Sequence, residues 1–212
     1  MAKNFIFNLD RHQESWFFAP LRKKEDVIRM LLEAVKLMTI YVPPSKCFEG
    51  QGSMVLKISK MSRLLFESEN KIFSINFPFK VLEAEEGLNF VSPSGVVLDS
   101  MLTSEVLAFL AEDEILYSDD IFDFASPIVD GELDREKLWA LLRDLFFYED
   151  GYLRFDHDAE HMNGHLHPLN HFDFFYSSKA TFKIGLYEKF DVEKFFDVMD
   201  ITTPCHYLGP AN

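Results

Sequence analysis

The chain has 212 residues, 48% apolar and 26% charged, with 23 phenylalanines and a net charge of −14. That composition predicts one folded domain around an aromatic-rich core and argues against a disordered chain. So acidic a surface repels nucleic acid and anionic lipid at long range. A broad nucleic-acid-coating or membrane-surface role is therefore set aside, while a local basic pocket, or imitation of nucleic acid toward a basic partner, is left open.

The first five residues, Met1 to Phe5, lack the apolar core of a signal peptide, and no apolar run approaches the roughly 18 residues that span a bilayer. Cys47 and Cys205 are too few for a disulfide framework and are expected as two buried thiols. These features predict a cytoplasmic protein.

The first basic run, Arg22-Lys23-Lys24, leads into a predicted helix over 24–40. There Ile28, Leu31, Leu32, Val35, Leu37 and Met38 recur at helical spacing, and Glu25 and Asp26 favour the first turn. Trp16-Phe17-Phe18, just before it, is read as core or as a docking patch. Pro43-Pro44 ends the helix.

Strands are predicted at 53–59 and 71–77 from strict alternation, with Glu86-Gly87 and Pro93-Ser94-Gly95 as turns between further short strands. A second helix is expected over 103–113 with Thr103 as N-cap. A third is expected over 134–148, burying Leu138, Leu141, Leu142, Leu145 and Phe146 and stopping at Gly151. The acidic, aromatic stretch 117–128 between them reads as a loop with an edge strand. Strands then return at 152–156, 169–176 and 181–186, with Ser177-Ser178-Lys179 as a turn, before a short helix at 192–198. Strands and helices in separate blocks predict an α+β fold with a mostly antiparallel sheet and packed helices. One domain is expected over 1–212, its N-terminal helical and hairpin part at 1–150 and its motif-bearing strands at 151–212.

Five of the seven histidines, His157, His161, His165, His167 and His171, fall within fifteen residues of one another. Side chains alternate faces along a strand. Leu153 and Phe155 would therefore face the core and leave Arg154 and Asp156 opposite. Phe172, Phe174 and Tyr176 would likewise leave His171 and Asp173 opposite, roughly 7 Å apart at about 3.3 Å per residue. If these strands and the next form a meander, one open face collects Arg154, Asp156, His171, Asp173 and Lys183, with His167 at the strand entry.

Three chemistries fit that set. In the first, His167 and His171 act as general base and acid on a phosphodiester. Arg154 and Lys183 steady the developing charge, and Asp156 and Asp173 orient the histidines. In the second, His165, His167 and His171 with Asp156 or Asp173 ligate zinc, manganese or iron, although no H-E-x-x-H pattern is present. In the third, the histidines serve a structured loop and the charges are surface ion pairs. Asp119, Asp120 and Asp123 lack the spacing of a calcium loop, Gly50-Gln51-Gly52 and Ser94-Gly95 lack the lysine of a phosphate loop, and Cys205-His206 is too close in sequence for a nucleophile–base pair.

Leu153-Arg154-Phe155-Asp156 and His167-Pro168-Leu169-Asn170-His171 resemble the motif of a bacterial family of unassigned function. Its members carry an Arg-Phe-Asp strand, a His-Pro-x-x-His segment and a basic residue in the following strand. The resemblance covers roughly the last sixty residues and carries over Arg154, Asp156, His167 and His171. Where members have an arginine after a small-residue turn, this chain has Lys179 and Lys183. The resemblance implies a bacterial or phage-related protein from a defence or mobile-element neighbourhood. The expected function is a nucleic-acid- or nucleotide-directed phosphodiesterase or nuclease, any cofactor or metal being open. The alternative is a non-enzymatic subunit that binds a protein partner in a larger complex.

Overall fold

Among the described residues, seven strands pair antiparallel in the order β1-β2-β3-β4-β7-β8-β9. They are β1 (Lys3–Asn8), β2 (Ser53–Ile58), β3 (Arg63–Glu67), β4 (Lys71–Asn76), β7 (Leu153–His157), β8 (Asn170–Asp173) and β9 (Lys183–Leu186). A computed structural model supplies these coordinates and describes residues 3–41, 52–85, 87–111, 135–177 and 182–208. The expected edge strand within 117–128, the acidic trio Asp119, Asp120 and Asp123, Cys47 and Lys179 lie outside the described residues.

Between β4 and β7 the chain leaves the sheet. It forms the hairpin β5 (Lys80–Ala84) and β6 (Gly87–Val91), then helices α3 (Ser100–Ala111) and α4 (Arg135–Phe147). With α1 (Arg11–Phe17) and α2 (Lys24–Ile40) ahead and α5 (Val192–Val198) behind, the architecture is α+β with a mostly antiparallel sheet, as expected. The β4–β7 pairing joins the N-terminal part to the motif-bearing strands in one sheet. Among the described residues no helix is long and apolar enough to cross a membrane.

Two cores lie on opposite faces of that sheet. On one, α2, α3 and α4 bury Ile28, Leu31, Val35, Val106, Leu141 and Leu145 against Leu56, Leu64, Phe66, Phe73 and Ile75. On the other, Phe195 of α5 closes over Val55, Leu65, Ile72, Leu153, Phe155 and Phe172. The predicted alternation thus places its aromatic side under α5, not under the main helical layer.

Several elements differ from expectation. Helix α3 begins earlier than Thr103 because Asp99 Oδ1 accepts the backbone N–H of Leu102 at 2.7 Å, leaving Thr103 buried inside the helix. Strand β1 was not expected; Phe5 and Phe7 alternate toward the core and the strand pairs along its length with β2. Cys205 is exposed rather than buried, and the adjacent His206 turns to Asp197, 2.8 Å away. Trp16-Phe17-Phe18 closes α1, with Phe17 buried against Phe66 and Trp16 partly exposed.

Candidate functional site

The sheet face that β1–β4 bury beneath the helices continues onto β7–β9, where its chemistry changes. Across the β4–β7 pairing Phe73 stands opposite Arg154 and Lys71 opposite Asp156. In the next pairs Arg154 opposes Asp173, Asp156 opposes His171, and Asp173 opposes Lys183. Directly opposed residues of antiparallel strands share a face. The expected meander is therefore present, and it brings Arg154, Asp156, His171, Asp173 and Lys183 together.

This face is not open, as alternation alone suggested. His171 is 0% and Asp173 1% exposed. Arg154 donates through Nε to Asp156 Oδ2 at 2.7 Å, through Nη1 to the Tyr152 hydroxyl at 3.2 Å, and through Nη2 to Asp173 Oδ2. Lys183 Nζ stands 3.1 Å from both oxygens of Asp173 and 2.8 Å from His171 Nε2. Two cations thus face two carboxylates, with Asp173 buried and Arg154, Asp156 and Lys183 partly so. Ionic groups this buried are tolerated only when so paired, and removing one partner from such a network costs about 3–5 kcal/mol.

The His-Pro-x-x-His spacing has a local cause. His171 curls back so that its Nδ1 lies 2.8 Å from the Pro168 carbonyl, which can only accept. Nδ1 therefore carries the proton, and the Nε2 lone pair turns toward Lys183, Asp156 and Asp173. Burial, aided by the Lys183 charge and opposed by the Pro168 carbonyl and the two aspartates, holds the His171 imidazole below its ordinary range, so it is neutral at pH 7.

His167 sits beside this cluster rather than in it. Its ring meets His171 edge-on at 4.8 Å between centroids. Its Nε2 is buried without a hydrogen bond, although Asp158 Oδ2 is 3.2 Å away, because the contact is poorly aligned. Asp158 instead accepts the His161 backbone N–H at 3.0 Å. Burial alone would raise the Asp158 carboxyl, but the bonds from His161 outweigh it and hold the group below the usual range. His157 bonds to Asn170 Oδ1 at 2.7 Å, and His165 is exposed in the Gly164 turn.

Arg154, Asp156, Asp173 and Lys183 floor a cavity of about 770 Å³ walled by Arg22, Lys71, His157, Asp158, His161, Phe175 and Tyr176. Neither His167 nor His171 lines it. Sequence reasoning missed Lys71, whose place beside Asp156 depends on a pairing between distant strands. Burial lowers the Lys71 ammonium from its ordinary range, Asp156 opposing and Arg154 reinforcing the effect. Burial also pushes the Tyr152 phenol up to about 12, so it remains a phenol that Arg154 can bond.

The cluster can offer a proton from Lys183, cationic support from Arg154 and Lys71, and a converging donor set. One ligand atom each from Asp156, His171 and Asp173 lie within 4.8 Å of one another. No family model, curated protein or solved structure matches the chain.

Proposed function

We propose that the cavity beside β7–β9 is the active site of a phosphodiesterase acting on a nucleotide or a single-stranded nucleic-acid end. The observation that carries this reading is the convergence of Arg154, Lys71 and Lys183 with Asp156 and Asp173 on one cavity floor. Its volume of about 770 Å³ suits a nucleotide-sized ligand. Phe175, half exposed on the wall, offers a stacking surface for a base. The net charge of −14 disfavours a long duplex, so the substrate is read as small or terminal.

In this reaction Lys71 and the N–H groups that Arg154 has not committed hold the non-bridging oxygens and support the phosphorane charge. Water attacks phosphorus and yields its proton to Asp156. The bond from phosphorus to the leaving oxygen breaks, and the Lys183 ammonium gives that oxygen a proton. Solvent then returns a proton from Asp156 to Lys183. His171, buried and bonded at both nitrogens, is a positioning residue that aims Lys183; His167 packs behind it. This assignment replaces direct proton exchange between the two histidines.

The test is turnover of bis(p-nitrophenyl) phosphate, cyclic nucleotides and short single-stranded RNA and DNA, with and without added divalent metal. Lys183→Met should lose about 10²–10⁴-fold in rate, and Arg154→Met about 10²–10³-fold. A folded wild-type chain inert toward every substrate, or a Lys183→Met chain as active as wild type, overturns the reading.

A second reading, a non-catalytic subunit that binds a protein, is favoured by the rim. Phe175, Phe182 and Tyr187 are exposed around β9, a strand at the edge of the sheet. Under it, Phe182→Asp with Tyr187→Asp would abolish association while Lys183→Met left it intact.

A further inference from the structure

Asp156, His171 and Asp173 converge on one point of the sheet face, where the Lys183 ammonium contacts His171 and Asp173. Two ligand atoms each about 2.1 Å from one ion stand about 3.0–3.4 Å apart for octahedral or tetrahedral angles. His171 Nε2 is 3.7 Å from Asp156 Oδ2 and 3.7 Å from Asp173 Oδ2. Shifts of a few tenths of an ångström would bring His171 within coordination range of either aspartate, and the three ligand atoms all lie within 4.8 Å of one another. The Pro168 carbonyl already holds His171 in the tautomer whose Nε2 is a ligand. Arg154 bonds Oδ2 of both aspartates, the same oxygens that face His171 Nε2, and so fixes the orientation of the two carboxylates.

We propose that Asp156, His171 and Asp173 bind one divalent first-row transition-metal ion, and that the Lys183 ammonium is the competing cation that fills the same place. Two carboxylates and one imidazole favour manganese, iron or zinc over calcium or magnesium, which take oxygen ligands. Lys183 contacts two of the three ligands, His171 and Asp173. Arg154 and Lys183 bond the two aspartates, and Lys71 adds a further positive charge beside Asp156. A doubly charged ion entering with Lys183 still in place would add to the charges of Arg154, Lys183 and Lys71 against only two carboxylates, so entry requires Lys183 to leave. Its flexible stem lets it do so, and it already lines the cavity into which it would move. The inference goes beyond hydrolysis and requires no turnover.

The probe is Mn²⁺ in 0.15 M salt, followed by loss of the free-ion electron paramagnetic resonance signal. Lys183→Met should bind one Mn²⁺ at least tenfold more tightly than wild type, and adding Asp173→Asn should reverse that gain. Lys183→Met binding no tighter than wild type overturns the proposal. So does a double variant that binds as tightly as Lys183→Met, the result expected if Mn²⁺ merely collects on the acidic surface. A second measurement needs only the wild-type chain. Saturating Mn²⁺ should raise acylation of Lys183 several-fold, read by peptide mass spectrometry against the exposed Lys3 and Lys194. Unchanged Lys183 labelling at saturation also overturns it.

Discussion

One face of the sheet is built in two materials. Over β1–β4 it carries Leu56, Leu64, Phe66, Phe73 and Ile75 beneath the helices. Over β7–β9 the same pleat carries Arg154, Asp156, His171, Asp173 and Lys183. Phe73 and Arg154 are directly opposed neighbours at the seam. The apolar half is buried throughout, the ionic half at His171 and Asp173 and partly at the other three, and the two are stabilised differently. The apolar half gains from area removed from water and tolerates local repacking. The ionic half depends on every charge keeping its partner, because desolvation cancels much of the attraction. The first half therefore holds the fold, while the second stores charge beside a cavity.

The comparison can be broken most forcefully in the apolar half. Phe66 is fully buried and stacks on Phe73 at 4.6 Å between centroids. Phe66→Ala should cost about 3–5 kcal/mol in urea unfolding. A loss near 1 kcal/mol would mean that this half is not the principal core.

Next is Asp173, whose removal strands Arg154 and Lys183 near each other. Asp173→Ala should cost about 3 kcal/mol, against the 0–1 kcal/mol of a surface ion pair. A small value by the same denaturation would show the ionic half to be solvated and the contrast to be only of composition.

Gly151 tests the seam between helical layer and sheet. Its φ is +52°, and a Cβ there would lie 2.6 Å from Asn76 Nδ2. The Asn76 side chain accepts from Arg63 at 2.5 Å and donates to the Glu149 carbonyl at 2.9 Å, so it cannot simply swing away. Gly151→Ala should lower stability by about 1–3 kcal/mol, measured as a fall in Tm.

A pH experiment sharpens the contrast from outside the cluster. Asp144 of α4 accepts from the Ser92 hydroxyl at 2.8 Å and from the Ser94 backbone and hydroxyl at 2.8 and 2.7 Å. Burial raises its carboxyl, but the bonds from Ser94 and Ser92 outweigh that effect, and the net shift is downward. A depressed folded-state value stabilises the fold above the unfolded carboxylate range, and that contribution is lost as pH falls through the folded value. The stability difference between wild type and Asp144→Asn should thus be present at pH 7 and shrink in acid. Equal pH profiles would remove Asp144 from the account.

The smallest effect belongs to Lys3 and Glu83, an ion pair whose side chains are about half exposed. Lys3→Ala should change stability by less than about 0.5 kcal/mol in the same assay. A loss matching that of Asp173→Ala would erase the distinction between buried and surface charge.

Much of this arrangement was legible along the chain. Helix α2 follows from its apolar stripe, and its bounds agree with expectation. The buried stripe of α4, Leu138, Leu141, Leu142 and Leu145, does too. Both signals are local, since a helix face repeats every three to four residues. Strand β8 is shorter than expected, Asn170–Asp173, because periodicity does not report where pairing stops. Thr103 was misplaced as a cap because Asp99, four residues earlier, caps better. Residue type and spacing single out His167 and His171 but carry no information about their burial.

By itself the sequence determined which side chains share a face. Arg154 with Asp156, and His171 with Asp173, lie two positions apart, and the pleat alternates every residue whatever surrounds it. Only the tertiary structure decided that β4 lies beside β7, which sets Lys71 against Asp156 and Phe73 against Arg154. Only it brought Lys183 between His171 and Asp173 and withdrew the latter two from water. Strand order and burial arise from pairing and packing between residues far apart in the chain, and no local periodicity encodes them.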